Sequence, residues 1–596
     1  MLWDERYLTL YERYGGETVP VEATLEELSE LLYCTPRNAK LILKKLQNER
    51  LIEWLPGLGR GHRSKIVFHK EKESYLIDYA ISVAEQGDYK RAFDSIAQYG
   101  SGTTARESFL EWLNQQFGYK KGEGVYGEEC RDTLVFPVLK APLTLDPADL
   151  LYAFDSHLIR QISDRLVRYD EPTGQIAPML AHSWTPSSDY KEWTFYLRKG
   201  VRFHNGAELT SRDVQFTLER LWKEKANSWL LREVVRIENL SLRVLRISLK
   251  RPNRIFDRYM CSAAASIIPY EFAGAAEEEF WRKPIGTGPF QLASWSNGRI
   301  RLEANDAYFQ GRPYLDEVEV VIMPEDCSKD LDQLAKVHHS LDTMKLEPNM
   351  TTNEWQEIEK LCHGCVLMNW NVAAEGPQQS VAFRQAVRKI IQPEEMIKEL
   401  GGERAIPAFG FRPESSMKQS VEPVQPGQIN ELLRESGYAG EMLKISYIPK
   451  YREDATWIME RLAEWGIQSE THEDIEHADI KISGLVFPED EVCEIEAYEH
   501  RDCIMQTYFD AARQSWIGGR IDEALAAETT AERRRILKDI EEYLRDESLI
   551  IFLHHRRISM YWHPSVRGVS LNMLGWVDYK DVWLEQHGIS ALQEQY

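Results

Sequence analysis

The chain has 596 residues, 43% of them hydrophobic and 28% charged, and a formal net charge of −23. That length exceeds one hydrophobic core and predicts about two to four domains, and the composition is that of a globular protein rather than a disordered chain. No apolar run reaches the roughly 18 residues of a membrane helix, so no membrane insertion is expected.

The N-terminal stretch MLWDERYLTLYERYGG carries acids within its first five residues and lacks a basic segment followed by an apolar one. No signal peptide is expected, and eight scattered cysteines form no disulfide framework. Both point to the cytoplasm.

Residues 3–14 read as a helix. A second starts near Thr24, where Thr24 and Glu27 fit a capping box and Leu25, Leu28, Leu31 and Leu32 supply a buried stripe. Thr35 and Pro36 then suit the start of a third helix, PRNAKLILKKLQNER. Its inner face is Ala39, Ile42, Leu43 and Leu46; Arg37, Lys40, Leu41 and Lys44 fall outside, with Asn38 and Lys45 alongside. Such a helix-turn-helix places its second helix in the DNA major groove. Arg37 and Asn38 are the types that read guanine and adenine, and Lys40, Lys44 and Lys45 suit phosphates.

LIEWL and KIVF read as two strands joined by PGLGRGHRSK. A glycine-rich, arginine-bearing hairpin tip after a helix-turn-helix is a wing. Its Arg60, His62, Arg63 and Lys65 are candidate contacts to phosphates or a minor groove. From Arg37 to Lys70 nine basic residues face two acids, whereas most of the acidic excess lies after about residue 125. One end therefore suits a polyanion and the rest repels it. Residues 73–99 and 104–117 read as two further helices, and 119–130 as a linker.

From Asp132 strands and helices alternate, which is α/β architecture. WTFYLRKGVRFH reads as alternating strand residues, followed by a helix capped near Thr210 or Ser211. Here MLAHSWTPSSDYKEWTFYLRKGVRFHNGAELTSRDVQFTLERL (179–221), KPIGTGPFQLASWSNGRIRLEANDAYFQGRPYLDEVEV (283–320) and AFRQAVRKII (382–391) resemble successive landmarks of family 5 extracellular solute-binding proteins. RNAKLILKKLQ, GRGHRSKIVF and LNMLGWVDYKDVW resemble the N-terminal domain and C-terminal tail of SgrR-type transcriptional regulators.

The resemblance implies a multidomain chain: a mainly α winged helix-turn-helix, then a two-lobed α/β domain of the type II periplasmic-binding-protein class. The DNA-binding region spans 1–118, with the winged helix at about 1–70 and connecting helices at 71–118. The sensor spans 131–596, with lobe I at about 131–320 and 480–596 and lobe II at about 321–480. The implied partners are double-stranded DNA and a small polar ligand: a sugar, sugar phosphate or peptide. Family members link such sensing to sugar-phosphate stress.

Peptide-binding members carry an acid for the peptide amino group, and the matching stretch ISGLVFPEDE is degraded, leaving Asp490 nearby. LMNWNVA matches a cleft-lining segment, so Trp370 and Asn371 are candidate ligand contacts, although Trp370 equally suits a core. His157 is a further candidate, with a structural histidine as the alternative.

Cys362-His363-Gly364-Cys365 is a lone CxxC without a second pair, and GTGPF lacks the Lys-Ser or Lys-Thr of a phosphate loop. GxSxG and HExxH are absent. No metal, cofactor or enzymatic activity is expected. The reading is a cytoplasmic, ligand-responsive DNA-binding regulator, a homodimer if its operator is an inverted repeat. The alternative is the substrate-binding component of an ABC-type peptide or solute transport system.

Overall fold

The structure is a computed structural model and describes residues 3–15, 20–57, 63–121, 131–170, 173–223, 225–296, 298–324, 356–416, 425–474, 477–486, 491–500, 507–562, 566–570, 572 and 576–585.

The N-terminal unit holds α1 (Trp3–Tyr14), β1 (Val21–Ala23), α2 (Leu25–Leu31), α3 (Pro36–Asn48), β2 (Ile52–Leu55) and β3 (Ser64–Phe68). The strands form one antiparallel sheet in the order β1-β3-β2. Thr24 and Glu27 cap α2 reciprocally: Thr24 N donates to Glu27 Oε2 at 2.8 Å, and Glu27 N donates to Thr24 Oγ1 at 3.2 Å. Thr35 Oγ1 accepts from Asn38 N at 3.3 Å and starts α3. β1 was not foreseen, because three residues are too few to show a period of two.

The expected helix at 73–99 is two helices, α4 (Lys72–Glu85) and α5 (Tyr89–Tyr99). Gly87 breaks it at φ 89°, a conformation that favours glycine, and the Asp88 carboxylate restarts it by accepting from Arg91 N at 3.2 Å. α6 (Ala105–Asn114) follows.

The stretch expected as a linker from 119 opens instead with a strand, β4 (Gly118–Lys121). It pairs antiparallel with β5 (Asp132–Val138) at the edge of a five-stranded sheet, whose other strands are Glu317–Ile322, Arg299–Ala304 and Phe290–Ser296. Val135, Val321 and Met323 of this sheet lie in one hydrophobic core with Tyr89, Ile96 and Phe109 of the N-terminal helices. The N-terminal unit is thus fused to the sheet by a shared core as well as a strand.

A four-stranded sheet runs from Ala181 to Leu249. It is joined to the five-stranded one through α7 (Ala153–Ile162) and the GTGPF turn. A Cβ on Gly286 would stand 2.0 Å from the Ile162 carbonyl oxygen, and one on Gly288 2.4 Å from that of Gln161. The glycines serve close backbone approach.

A seven-stranded sheet contains Val366–Trp370, Leu443–Tyr447, Ile480–Gly484 and Ile550–Trp562, and two two-stranded sheets pair Val167–Asp170 with Gln175–Pro178 and Val566–Arg567 with Trp583–Leu584. The chain was expected to return to lobe I at about 480. Instead, Ile480–Gly484 and Ile550–Trp562 both flank Val366–Trp370. The return falls near 566, where Val566, Val577, Tyr579 and Val582 enter the core of the five-stranded sheet.

Candidate nucleic-acid interface and interlobe seam

The amphipathic spacing of α3 buries Ala39, Ile42, Leu43 and Leu46 and leaves Arg37, Lys40, Leu41 and Lys44 exposed on one face. Asn38 is half-buried beside them. Lys65 is exposed on β3 opposite Glu22.

Two expected phosphate contacts are already engaged. Lys45 Nζ stands 4.0 Å from the Trp3 ring centroid and 3.7 Å from Glu49 Oε1. Arg63 Nη2 donates to Glu27 Oε1 at 2.9 Å. The Thr24 N–H, helped by Arg63, holds the Glu27 carboxyl below its ordinary range. Arg60 and His62 lie outside the described residues.

Sequence reasoning missed one side chain on this surface as a site residue and left another unassigned. Tyr33, at φ 48° in the turn before α3, is 90% exposed, and Leu41 is 58% exposed in the middle of the basic face. An apolar residue on the outer face of a basic helix was the available signal.

The expected cleft residues are placed differently. Trp370 is fully buried, with its ring centroid 5.9 Å from that of Phe383. All five residues of its strand are buried, because the strand lies inside the sheet with both faces covered. Asn371 is buried and fastens a turn: Nδ2 donates to the Ala478 carbonyl at 3.1 Å, and Oδ1 accepts from Ala374 N at 3.2 Å.

His157 is a core residue as well. Its ring stacks on Trp576 at 5.5 Å and meets Tyr579 edge-on at 4.9 Å, with Asn572 Nδ2 3.3 Å from Nδ1. Burial pushes its pKa down to about 3, so it is neutral and holds the returning C-terminal segment. Asp490 lies outside the described residues. The three described candidates are all buried, and Asn371 and His157 are also hydrogen-bonded within the protein, so none of them faces an open surface.

What faces between the lobes is the helix Glu491–Glu499, EVCEIEAYE. From the four-stranded unit, Arg258 Nη1 meets Glu491 Oε2 at 2.7 Å, and Arg232 meets Glu499 at 2.9 Å and Asp522 at 2.8 Å. Arg251 also pairs with Asp522, and Arg254 N donates to the Leu525 carbonyl at 2.9 Å. From the second lobe's own side, Arg412 Nη2 meets Glu494 Oε2 at 3.1 Å. Burial pushes Glu494 up and takes Glu499 to about 7, against the pull of their arginines. Ile255, Phe256 and Tyr259 share one core with Ile495, Tyr498 and Ile521. The seam is thus an apolar contact threaded with ion pairs, whose charges water would also solvate.

Cys362 and Cys365 are buried free thiols, and burial pushes both pKa values up, away from the reactive thiolate.

Two family models match this architecture. Bacterial extracellular solute-binding proteins, family 5 Middle, matches residues 175–523, and Sugar transport-related sRNA regulator N-term matches residues 3–119. The chain belongs to the SgrR-type regulators with a family 5 solute-binding domain. The SgrR of Yersinia enterocolitica serotype O:8 / biotype 1B is 24% identical to it over 594 residues, 97% of this chain and 98% of the other. An uncharacterized protein of Bacillus subtilis (strain 168), YhjP, is 31% identical over 582 residues, 95% and 96% of the two chains.

Solved structures share the two-lobed fold. The binding protein AgaA from A. tumefacien R10, in complex with agropinic acid, matches 76% of this SgrR-type chain and 99% of its own at 22% identity and TM-score 0.64. The oligopeptide-binding protein AppA from Bacillus subtilis, in complex with a nonapeptide, matches 78% and 100% at 20% identity and TM-score 0.63.

Proposed function

We propose that this chain is a cytoplasmic transcriptional regulator that binds double-stranded DNA through α3 and the wing, and that a small polar ligand taken up between its lobes alters that binding. The observation that carries this is the exposed basic face of α3, Arg37, Lys40 and Lys44, on a unit fused by core and strand to the solute-binding sheet. Leu41 in that face suits a thymine methyl group, and Arg37 suits a guanine edge.

A ligand that prefers one seam geometry over another shifts the population toward it. Because β4 and the core at Val135, Val321 and Met323 tie α4–α6 to the same lobe, that shift has a mechanical route to the winged helix. A coupling of about 1–3 kcal/mol is typical of such devices. The fold shared with AgaA and AppA supports a second reading, a substrate-binding component of a transport system.

Footprinting on the DNA upstream of the chain's own coding region separates the two. A protected sequence, lost in the triple variant Arg37→Ala, Lys40→Ala, Lys44→Ala, is expected of the regulator. No protection at any protein concentration favours the transport component.

A further inference from the structure

Along the seam, Arg258 and Arg232 each have a carboxylate partner, Glu491 and Glu499. Arg165 does not. It follows the end of α7, is 7% exposed, and its Nη2 reaches only Met179 Sδ at 3.9 Å. Its Nε and Nη1 are buried and find no acceptor among the described residues, and the same holds for Nε of Arg160 on the last turn of α7.

The adjacent Asp164 does not supply the missing acceptor. Its two carboxylate oxygens each accept a 3.1 Å hydrogen bond, one from Thr287 Oγ1 and one from Tyr308 Oη. Arg160 adds a second positive charge beside Arg165. Burial first, and then Arg160, bring the Arg165 guanidinium down to about 10. The acid facing Arg160 from the other lobe is Glu496 on the acidic helix, which burial pushes up to about 7 and Arg160 pulls down. Two guanidiniums therefore lie near two carboxylates, Asp164 and Glu496, that burial holds partly protonated, and neither carboxylate hydrogen-bonds Arg165 among the described residues. A buried cation without a hydrogen-bonding counter-ion is costly, and a guanidinium recognises carboxylate and phosphate oxygens with charge-assisted bonds.

We infer that Arg160 and Arg165, opposite Glu496, form the subsite for an oxyanion group, carboxylate or phosphate, on the small molecule that the sensor takes up. This rests on the ligand-sensing reading above and narrows its ligand to an anion. A neutral sugar supplies no charge to these guanidiniums, and a metal cation is repelled by them.

The test is thermal unfolding of the full chain titrated separately with inorganic phosphate and with acetate, with ionic strength held constant by chloride. The expected result is a saturable rise in Tm with at least one of the two. That rise is abolished in Arg165→Gln, and in Arg160→Gln the apparent affinity is weakened about tenfold or more. A phosphate-only response assigns a phosphate ligand, and an acetate response assigns a carboxylate. Arg165→Gln without added ions is expected to melt no lower than the parent, because it removes a buried charge whose Nε and Nη1 find no acceptor among the described residues. If that variant does not fold, Arg160→Gln carries the test. No saturable shift beyond that of chloride, or an equal shift in the variants, overturns the subsite. A saturable shift that leaves DNA affinity unchanged supports the subsite and tells instead against the coupling of ligand to DNA.

Discussion

Arg299 Nη2 donates to the hydroxyl of Tyr89 at 2.9 Å, and this bond crosses from the solute-binding sheet to the helices that carry the winged helix. Arg299 Nη1 is held at 2.6 Å by Glu319 on the neighbouring strand, so the guanidinium is fixed from the sensor side. Beside it, a Cβ on Gly298 would stand 3.1 Å from the Gly87 carbonyl, which places the turn before α5 directly against the sheet. Sensor and winged helix are thereby held in one packed arrangement.

Tyr89→Phe keeps the ring in the shared core and removes only this bond. A loss of about 1 kcal/mol in urea unfolding is expected, the ordinary contribution of one hydrogen bond. An unchanged midpoint would mean that the bond is formed equally well by water.

Arg258→Ala strips the nearest cation from Glu491, whose side chain is 1% exposed. Arg533 Nε, at 3.8 Å, remains but is farther away. A destabilisation of about 3 kcal/mol is expected, because removing one partner strands the other charge. Replacing both residues by methionine is expected to recover most of the loss. Equal losses in the single and double variants would contradict this account of the seam.

Gly286→Ala and Gly206→Ala make a controlled pair. The first drives a Cβ to 2.0 Å from the Ile162 carbonyl oxygen, while the second meets nothing within 4 Å and only strains a residue at φ 85°. Losses of about 3 kcal/mol and about 1 kcal/mol are expected for the two. Similar melting temperatures would show that the GTGPF turn is free to move away from α7.

Much of the N-terminal unit was legible in the sequence because its signals are local. Thr24, Glu27, Thr35 and Pro36 lie within one turn of the groups they cap, and the period of α3 follows from its own residues. The contacts that Lys45 and Arg63 make within the protein were not legible because Trp3 and Glu27 are distant in sequence. The burial of the LMNW strand was illegible for a related reason. LMNW reads the same whether the strand edges a cleft or sits inside a sheet, and only the flanking strands decide it. EVCEIEAYE has the composition of a solvated charged face, and its burial follows from arginines more than 70 residues away.

Glu541 gives a pH dependence with a definite sign. Its Oε2 accepts from Phe411 N at 2.8 Å, and burial pushes its pKa from 4.5 up to about 7. The folded state therefore keeps a proton that the unfolded state has released. The stabilisation is fully present below about pH 4.5 and is lost as pH rises to about 7. Glu541→Gln preserves the acceptor and cannot ionise. Relative to the parent, it is expected to gain on the order of 2–3 kcal/mol at pH 8 and nothing at pH 4, read from denaturant midpoints. A gain that is independent of pH would contradict burial of an ionisable group there.

The most direct test of the regulator itself is fluorescence anisotropy of the full chain on its own upstream DNA and on a scrambled duplex, across a salt series. The account predicts sequence-preferring binding that weakens steeply with salt. In the variant Arg37→Ala, Lys40→Ala, Lys44→Ala the slope of log K against log salt falls by about two, one for each lost phosphate contact of Lys40 and Lys44, and the loss of Arg37 relaxes the sequence preference. Equal affinity for both duplexes, or a salt slope unchanged by the triple variant, would contradict a DNA-reading role for α3.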